Sequence, residues 1–297
     1  MLTHLNASPL PPARVVILGA RGFIAHALAA SLQADGIEIC VVASRDIDLS
    51  APTAVGRLRA LLRPEDALVM TAGLTPEKGL NAENLIKNVS MAEQLAQALA
   101  AVPCRHLIYI SSESYYGWQQ SPLAETLPPS PEELYGLMHV TRELIFAQAA
   151  QASHIPYAIL RPAVIYGPGN THNNYGPNRF IGSALAEGKI RLFGAGEETR
   201  DHVFIGDVTA LVGLILRHRS IGVLNGSSGT FASFAEVAGL VAQLCGRNVT
   251  IEYQPRTVAI THRYSDPTEL YRSFPQHRPA TLEFGLQATL REMTLRG

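Results

Sequence analysis

The sequence predicts an α/β fold, a doubly wound parallel sheet followed by a smaller, loop-rich C-terminal domain. Short apolar runs, of the length of strands buried on both faces, alternate with helical patterns as far as residue 160. The first run enters a glycine-bearing turn, Gly19-x-x-Gly22-x-x-Ala25, and beyond Arg161 the alternation gives way to loop-forming residues. Strands alternating with helices imply right-handed crossovers, which build a parallel sheet.

Taken in order, residues 1–12 hold three prolines and neither an apolar run nor a basic cluster, so they read as a loose extension and not as a signal peptide or anchor. Val15, Val16, Ile17 and Leu18 make the first strand. Gly19, Gly22 and Ala25 then put small residues where backbone approaches a phosphate or packs on the sheet. A helix over 23–34 follows, with Ile24, Leu28 and Leu32 as its apolar stripe and Gly36 as its stop. Its open N-terminus offers N–H groups and the positive end of a dipole to a pyrophosphate.

A second strand spans 37–42, a helix about 52–62, a third strand 68–70 and a loop 71–80. Residues 85–101 carry a helical pattern, 107–110 a fourth strand, 132–152 a long helix and 157–160 a fifth strand. Ser130-Pro131-Glu132-Glu133 reads as the start of that long helix, with serine as N-cap and Glu133 closing a capping box. Tyr135 and His139 then lie four apart on one face of its first turns. Residues 162–196 hold three prolines, seven glycines and four asparagines, which predicts long loops in place of another regular unit. Strands at 203–205 and 221–224 and a helix at 234–244, ended by Gly246, complete the pattern. The expected division is a dinucleotide-binding domain over 1–166, its sheet completed by 202–226, and a mainly substrate-binding domain over 167–297.

A chain of 297 residues is long for one domain, and two is the natural expectation. Formal net charge is −1, from 24 basic and 25 acidic residues, with no run of like charge, so neither nucleic acid nor membrane is an expected partner. Cys40, Cys104 and Cys245 stand far apart, which argues against a zinc site and a disulfide framework and for a cytoplasmic location. The apolar stretch 208–216 is too short to span a bilayer. His172 and His202 have no metal-ligand spacing, and no metal is expected.

Several ordered motifs carry a family resemblance over nearly the whole chain. They are the glycine turn, Ser112 four residues before Tyr116-Gly117, Tyr135, and Arg161-Pro162-x-x-x-Tyr166-Gly167-Pro168-Gly169. Leu192-Phe193-Gly194-x-Gly196-x-x-x-Arg200-Asp201, Asp207-Val208, Asn225-Gly226 and Arg263-Tyr264-Ser265-Asp266 continue them. The chain resembles an extended short-chain dehydrogenase/reductase of the NAD-dependent epimerase/dehydratase family, whose members mostly act on nucleotide-activated sugars. The resemblance implies a Rossmann-type sheet, a catalytic Ser112 and Tyr135, and hydride exchange at a nicotinamide.

In such a family the tyrosine exchanges a proton with the sugar, and a lysine four residues on favours its phenolate. Here that position is His139. A histidine of ordinary pKa is only about one quarter charged at pH 7, and a nearby nicotinamide cation would lower that further. Slower chemistry, a reductase in which neutral Tyr135 donates its proton, and a silent binding protein all remain open. After Ser112, Glu113-Ser114 stands where related 4,6-dehydratases carry an acid pair and where fucose-pathway epimerase/reductases carry a cysteine at Ser114, so the resemblance disfavours both reactions.

Cofactor choice turns on Val42-Ala43-Ser44-Arg45-Asp46 at the end of the second strand. Arg45 favours NADP(H) over NAD(H), although Asp46 could bind a ribose instead. The resemblance adds Phe23 and Ile24 beside the pyrophosphate, Asp48-Leu49 at the adenine, and Ala72-Gly73 after the third strand. His139 and Tyr135 join the cofactor contacts. On the substrate side it implies Glu113, Ser114, Asn178 and Arg200 near the diphosphate sugar, Phe193 against the base and Arg263 as a second phosphate or ribose contact. Arginine's planar fork suits phosphate oxygens. Asp201 and Asp266 are alternative partners for the two arginines. The expected function is reduction of a keto group on a nucleotide-linked sugar, or epimerisation through one, in a homodimer built on helices 85–101 and 132–152.

Overall fold

Each of β2 (Arg14–Leu18), β4 (Asp66–Met70) and β5 (His106–Ile110) is buried at every position, as runs without polar alternation require of strands covered on both faces. They lie in a computed structural model that describes residues 1–119, 121–170, 176–246 and 248–296; His172 lies outside the described residues. The first half of the chain adds β1 (Leu2–His4), α1 (Phe23–Ala34), β3 (Glu38–Val42), α2 (Ala54–Leu61), α3 (Ala82–Ala101), α4 (Leu134–Ala152) and β6 (Tyr157–Pro162). The second half runs β7 (Val164–Tyr166), α5 (Pro177–Glu187), β8 (Lys189–Phe193), β9 (Thr199–Phe204), α6 (Ile205–His218) and β10 (Ser220–Gly226). It closes with β11 (Phe231–Ser233), α7 (Phe234–Leu244), β12 (Thr250–Gln254), α8 (Thr268–Ser273) and α9 (Leu282–Arg296).

Two units divide the chain, neither of them continuous. One comprises Met1–Gly117, Glu125–Arg161 and Thr209–Asn225; the other comprises Trp118–Ala124, Pro162–Val208 and Gly226–Gly297. A single boundary at 166 is therefore replaced by an interleaved division. The first unit holds a seven-stranded sheet in the order β1-β10-β6-β5-β4-β2-β3. β2 pairs in parallel with β3 and β4, and the parallel ladder continues from β4 to β5 and β6. The chain leaves β2 for β3 on one side and returns to β4 on the other. That reversal makes the carboxyl ends of β2 and β4 a switch point where ligands of such sheets bind.

Three expectations change. Residues 1–12 are not all loose, because β1 pairs antiparallel with β10, Leu2 is 2% exposed and His4 Nδ1 lies 2.8 Å from Ser220 Oγ. The strand expected at 203–205 does not complete the main sheet; β9 pairs with β7 and β11 in a three-stranded sheet of the second unit. The stretch 162–196 is not simply loops, since Pro177 in its first turn and a left-handed Gly188 bracket α5. In the second unit α5, α7 and α9 bury Phe180, Ile181, Val237, Val241 and Leu286 around Tyr166.

The amino ends of β2 and β4 are tied by a buried ion pair. Arg14 Nε and Nη2 donate to the two carboxylate oxygens of Asp66 at 2.7 and 2.6 Å, and Asp66 also accepts from the Arg63 N–H. Asp66→Ala would strand a buried guanidinium and is expected to cost about 3–5 kcal/mol, read as a lower urea midpoint. A loss below about 1 kcal/mol would show that Arg14 finds water in the folded state.

Candidate active site

At the switch point the backbone closes tightly around Gly19. It holds φ +111°, and a Cβ there would lie 2.7 Å from Thr71 Oγ1 and 2.8 Å from the Ala72 nitrogen. A side chain would force β2 away from the exit of β4. The Gly19 and Ala20 N–H groups both donate to the Val42 carbonyl at 3.0 Å, drawing in the end of β3 as well. α1 then starts from Gly22 with no side-chain cap, so its first N–H groups, near Phe23 and Ile24, are available to an anion. These features fit a dinucleotide pyrophosphate.

The end of β3 is arranged around charge. Asp46 accepts from the Ala43 N–H at 2.9 Å, while Arg21, from inside the glycine turn, donates to Ser44 Oγ. The Arg45 side chain is 85% exposed, 3.8 Å from Asp46. Asp48 is held in a local turn by the N–H and hydroxyl of Ser50, and Leu49 is buried in the core of the first unit.

The long helix carries the second part of the site. α4 starts at Leu134 with no side-chain cap, later than the Ser130 signal implied, because the Ser130 N–H donates to the Tyr115 carbonyl and holds 130–133 against the preceding loop. Tyr135 thereby stands in the first turn of α4. The loop itself begins where Ser112 accepts from the Ser114 N–H at 3.1 Å and caps a short 3-10 turn over Glu113–Tyr116. Gly136 abuts this loop so closely that a Cβ would lie 2.4 Å from the Ser114 carbonyl oxygen. Glycine beside Tyr135 is what lets the start of α4 meet the loop of Ser112, Glu113 and Ser114.

One turn further, His139 is 4% exposed, its ring edge-on to Tyr135 at 4.7 Å between centroids. Its Nδ1 shares a hydrogen bond with Tyr109 Oη at 2.7 Å, with Ser111 Oγ at 3.4 Å. Its Nε2 is buried with no hydrogen-bond partner among the described residues, leaving a polar group for a ligand to satisfy. Burial, reinforced by the charges of Arg142 and Arg161, holds His139 well below the usual histidine range. The ring is neutral at pH 7.

Beneath it, Arg161 donates through Nε and Nη2 to both carboxylate oxygens of Glu143 at 2.9 and 2.6 Å. Ser111 donates to Glu143 at 2.6 Å, and Arg161 Nη1 donates to Tyr116 Oη at 2.8 Å. Arg142 is 1% exposed and donates through Nη2 to the Ala72 carbonyl at 2.8 Å, while Gly73 leaves room beside its Nη1.

The substrate-side residues lie in the second unit. Arg200 and Arg263 meet across a parallel backbone bridge. Arg200 donates to the Thr199 and Thr261 carbonyls, and Arg263 lies 5.3 Å from the Trp118 ring centre beside a cavity of about 370 Å³. Asp201 is committed to Ser227 and Ser228, and Asp266 accepts from Thr268. Asn178 is buried and exchanges two 3.0 Å bonds with Gly167, so a phosphate contact would have to use its second N–H. Phe193 is 57% exposed on β8, whose sheet with β12 is separate from the one that carries Arg200.

The sequence pattern of the NAD dependent epimerase/dehydratase family matches residues 15–225. The chain belongs to this family. It is 26% identical over 171 residues to an uncharacterised UDP-glucose epimerase of Bacillus subtilis, covering 57% of this chain and 54% of that one. A dTDP-6-deoxy-L-talose 4-dehydrogenase (NAD(P)+) of Kitasatospora kifunensis is 31% identical over 185 residues, 56% of each chain. The chain thus spans about half the length of these curated relatives. The fold matches that of a Thermus thermophilus UDP-glucose 4-epimerase solved with NAD, with a TM-score of 0.81, 21% identity and coverage of 95% and 99%.

Within the family frame, sequence reasoning missed Arg21, Tyr109, Arg142 and the Glu143–Arg161 pair. Arg21 stands inside the glycine turn and could have been found there; the others become legible only when α4 is laid on β5 and β6. His139 has a further consequence for stability. Its folded pKa lies below the 6.5 of an unfolded chain, so its contribution is present above pH 6.5 and is lost as pH falls below it. The thermal midpoint is expected to drop on acidification, and less steeply in His139→Gln; equal slopes would mean that the ring is already solvated.

Proposed function

We propose that this protein is an NAD(P)-dependent oxidoreductase acting on a nucleotide-activated sugar, a 4-ketoreductase in preference to a 4-epimerase. The observation that carries the reading is the Gly136 approach to Ser114, which brings Tyr135 and the Ser112 loop to one end of the sheet. The glycine turn, Phe23, Ile24, Ala72 and Gly73 would hold the dinucleotide, with His139 Nε2 offered to it from α4. When bound, the reduced cofactor supplies hydride. Tyr135 donates a proton to the sugar oxygen, and Ser112 hydrogen-bonds that oxygen by turning its hydroxyl away from Ser114.

Reduction suits a phenol that starts protonated, as a tyrosine of ordinary pKa near 10 is at neutral pH. Epimerisation also needs a base to withdraw a proton at the start, a demand that reduction does not make. The relative named as a 4-dehydrogenase supports chemistry at the same carbon. In the second unit, Arg200, Arg263 and the second N–H of Asn178 would take the diphosphate, and Phe193 the base. Glu113 and Ser114 would face the sugar.

NADP(H) is the preferred cofactor, because Arg21 reaches Ser44 at the end of β3 and the exposed Arg45 follows it, while Asp46 is engaged by the Ala43 N–H. A homodimer is supported by α3 and α4, where Ile86, Leu137 and Leu144 are 64%, 41% and 62% exposed. Leu137 and Leu144 are seven apart and form one stripe. A second reading, a dinucleotide-binding protein without turnover, draws on the neutral ring at the family's lysine position.

Incubation with a panel of nucleotide-linked 4-ketosugars should consume NADPH faster than NADH. Tyr135→Phe should abolish consumption, and Arg21→Ala with Arg45→Ala should erase the preference for NADPH. Cofactor binding with no turnover of any sugar, even after His139→Lys, would instead establish the silent reading. For the dimer, Leu144→Glu should halve the sedimenting mass; an unchanged mass would remove α4 from the interface.

A further inference from the structure

Two arginines lie at the inward face of α4, Arg142 from the helix itself and Arg161 from β6, and their charges are not equivalent. Arg161, from β6, is neutralised by both oxygens of Glu143. Arg142 is 1% exposed, and its neighbours are the Ala72 carbonyl, the Met138 sulfur and the rings of Tyr109 and Phe146. Among the described residues no carboxylate pairs with it, and its Nε has no hydrogen-bond partner. Burying an unpaired cation is costly, so a chain that retains one has a use for the charge.

The side chain shows where that charge goes. Nη1 lies 3.7 Å from the sulfur of Met138, one turn nearer the start of α4, so the guanidinium runs back along the helix toward Tyr135. It sits 4.9 Å over the ring of Tyr109, whose hydroxyl holds His139, and His139 packs edge-on against Tyr135. Gly73 leaves the space that Nη1 occupies, since a side chain there would meet it at 3.2 Å. We propose that Arg142 is an electrostatic positioning residue, supplying the fixed positive charge that stabilises the Tyr135 phenolate in place of a lysine at position 139. The proton leaves Tyr135 for the sugar oxygen, and the phenolate so formed is held by a cation two turns along the same helix face.

Ionisable groups facing this region are Tyr109 from β5, Tyr157 and Arg161 from β6, and His139 and Glu143 from α4; the loop packed on the start of α4 adds Glu113, Tyr115 and Tyr116, and α3 presents the uncharged Asn88. Arg161 is paired with both oxygens of Glu143. Tyr109 is pushed up by burial and stays protonated, and among the described residues Arg142 is the cation of the set with no carboxylate partner.

The inference rests on Tyr135 as the proton donor, and it can be tested whether or not a substrate is in hand. The ultraviolet difference titration of wild type against Tyr135→Phe reports the Tyr135 phenolate. In Arg142→Met its midpoint is expected to rise by about one pH unit. Arg142→Lys should keep the wild-type midpoint, and His139→Lys added to Arg142→Met should restore it. Arg142→Gln, which keeps a donor for Ala72, replaces the methionine variant if that fails to fold. An unchanged midpoint in the neutral variant overturns the inference. Retained turnover in Tyr135→Phe overturns the reading it rests on, and leaves the midpoints to be judged separately.

Discussion

The Glu143–Arg161 ion pair fixes the geometry on which the site depends. It joins the middle of α4 to the end of β6, and through Ser111 and Tyr116 it reaches β5 and the loop beyond it. Tyr116 extends the network to Asn225 at the end of β10. Taking both charges out of water is tolerable because both carboxylate oxygens and three guanidinium nitrogens are bonded. A helix held this way cannot rotate without stranding a charge. The facing of Tyr135, His139 and Arg142 is therefore set two turns away from where Tyr135 would act.

The same pair sorts the electrostatics. With Arg161 paired to Glu143 and His139 neutral, the cation left without a carboxylate among the described residues is a guanidinium on a neighbouring position of the same helix. Substituting one residue of a motif need not remove the property the motif supplies; a charge can be restored from another position whose side chain points back along the helix.

Much of the first unit was legible in the sequence because its strands are buried on both faces and read as unbroken apolar runs. Gly19 and Gly22 marked the switch point, and Tyr135 and His139 could be placed on one helix face from their spacing alone. The parts that escaped depend on partners distant in the chain. β1 is fixed by its pairing with β10, more than 200 residues on. Ser130 has the chemistry of an N-cap but is claimed by Tyr115, and α5 hid in a stretch whose prolines and glycines mark its ends and not a lack of structure. Nothing local distinguishes Arg142, a guanidinium bound for the core, from one bound for water. The substrate-side arginines were visible as residues, but their backbone bridge was not.

The interleaved division of the chain bears on how the protein is made. Segments change from one unit to the other after residues 117, 124, 161, 208 and 225. The sheet of the first unit lacks β10 until residue 226 has been synthesised, and β1 has no ladder until then. A nascent chain must carry the open edge of β6 while much of the second unit is still emerging. Folding of this protein is accordingly a late, long-range event, with an exposed strand edge to be shielded on the ribosome.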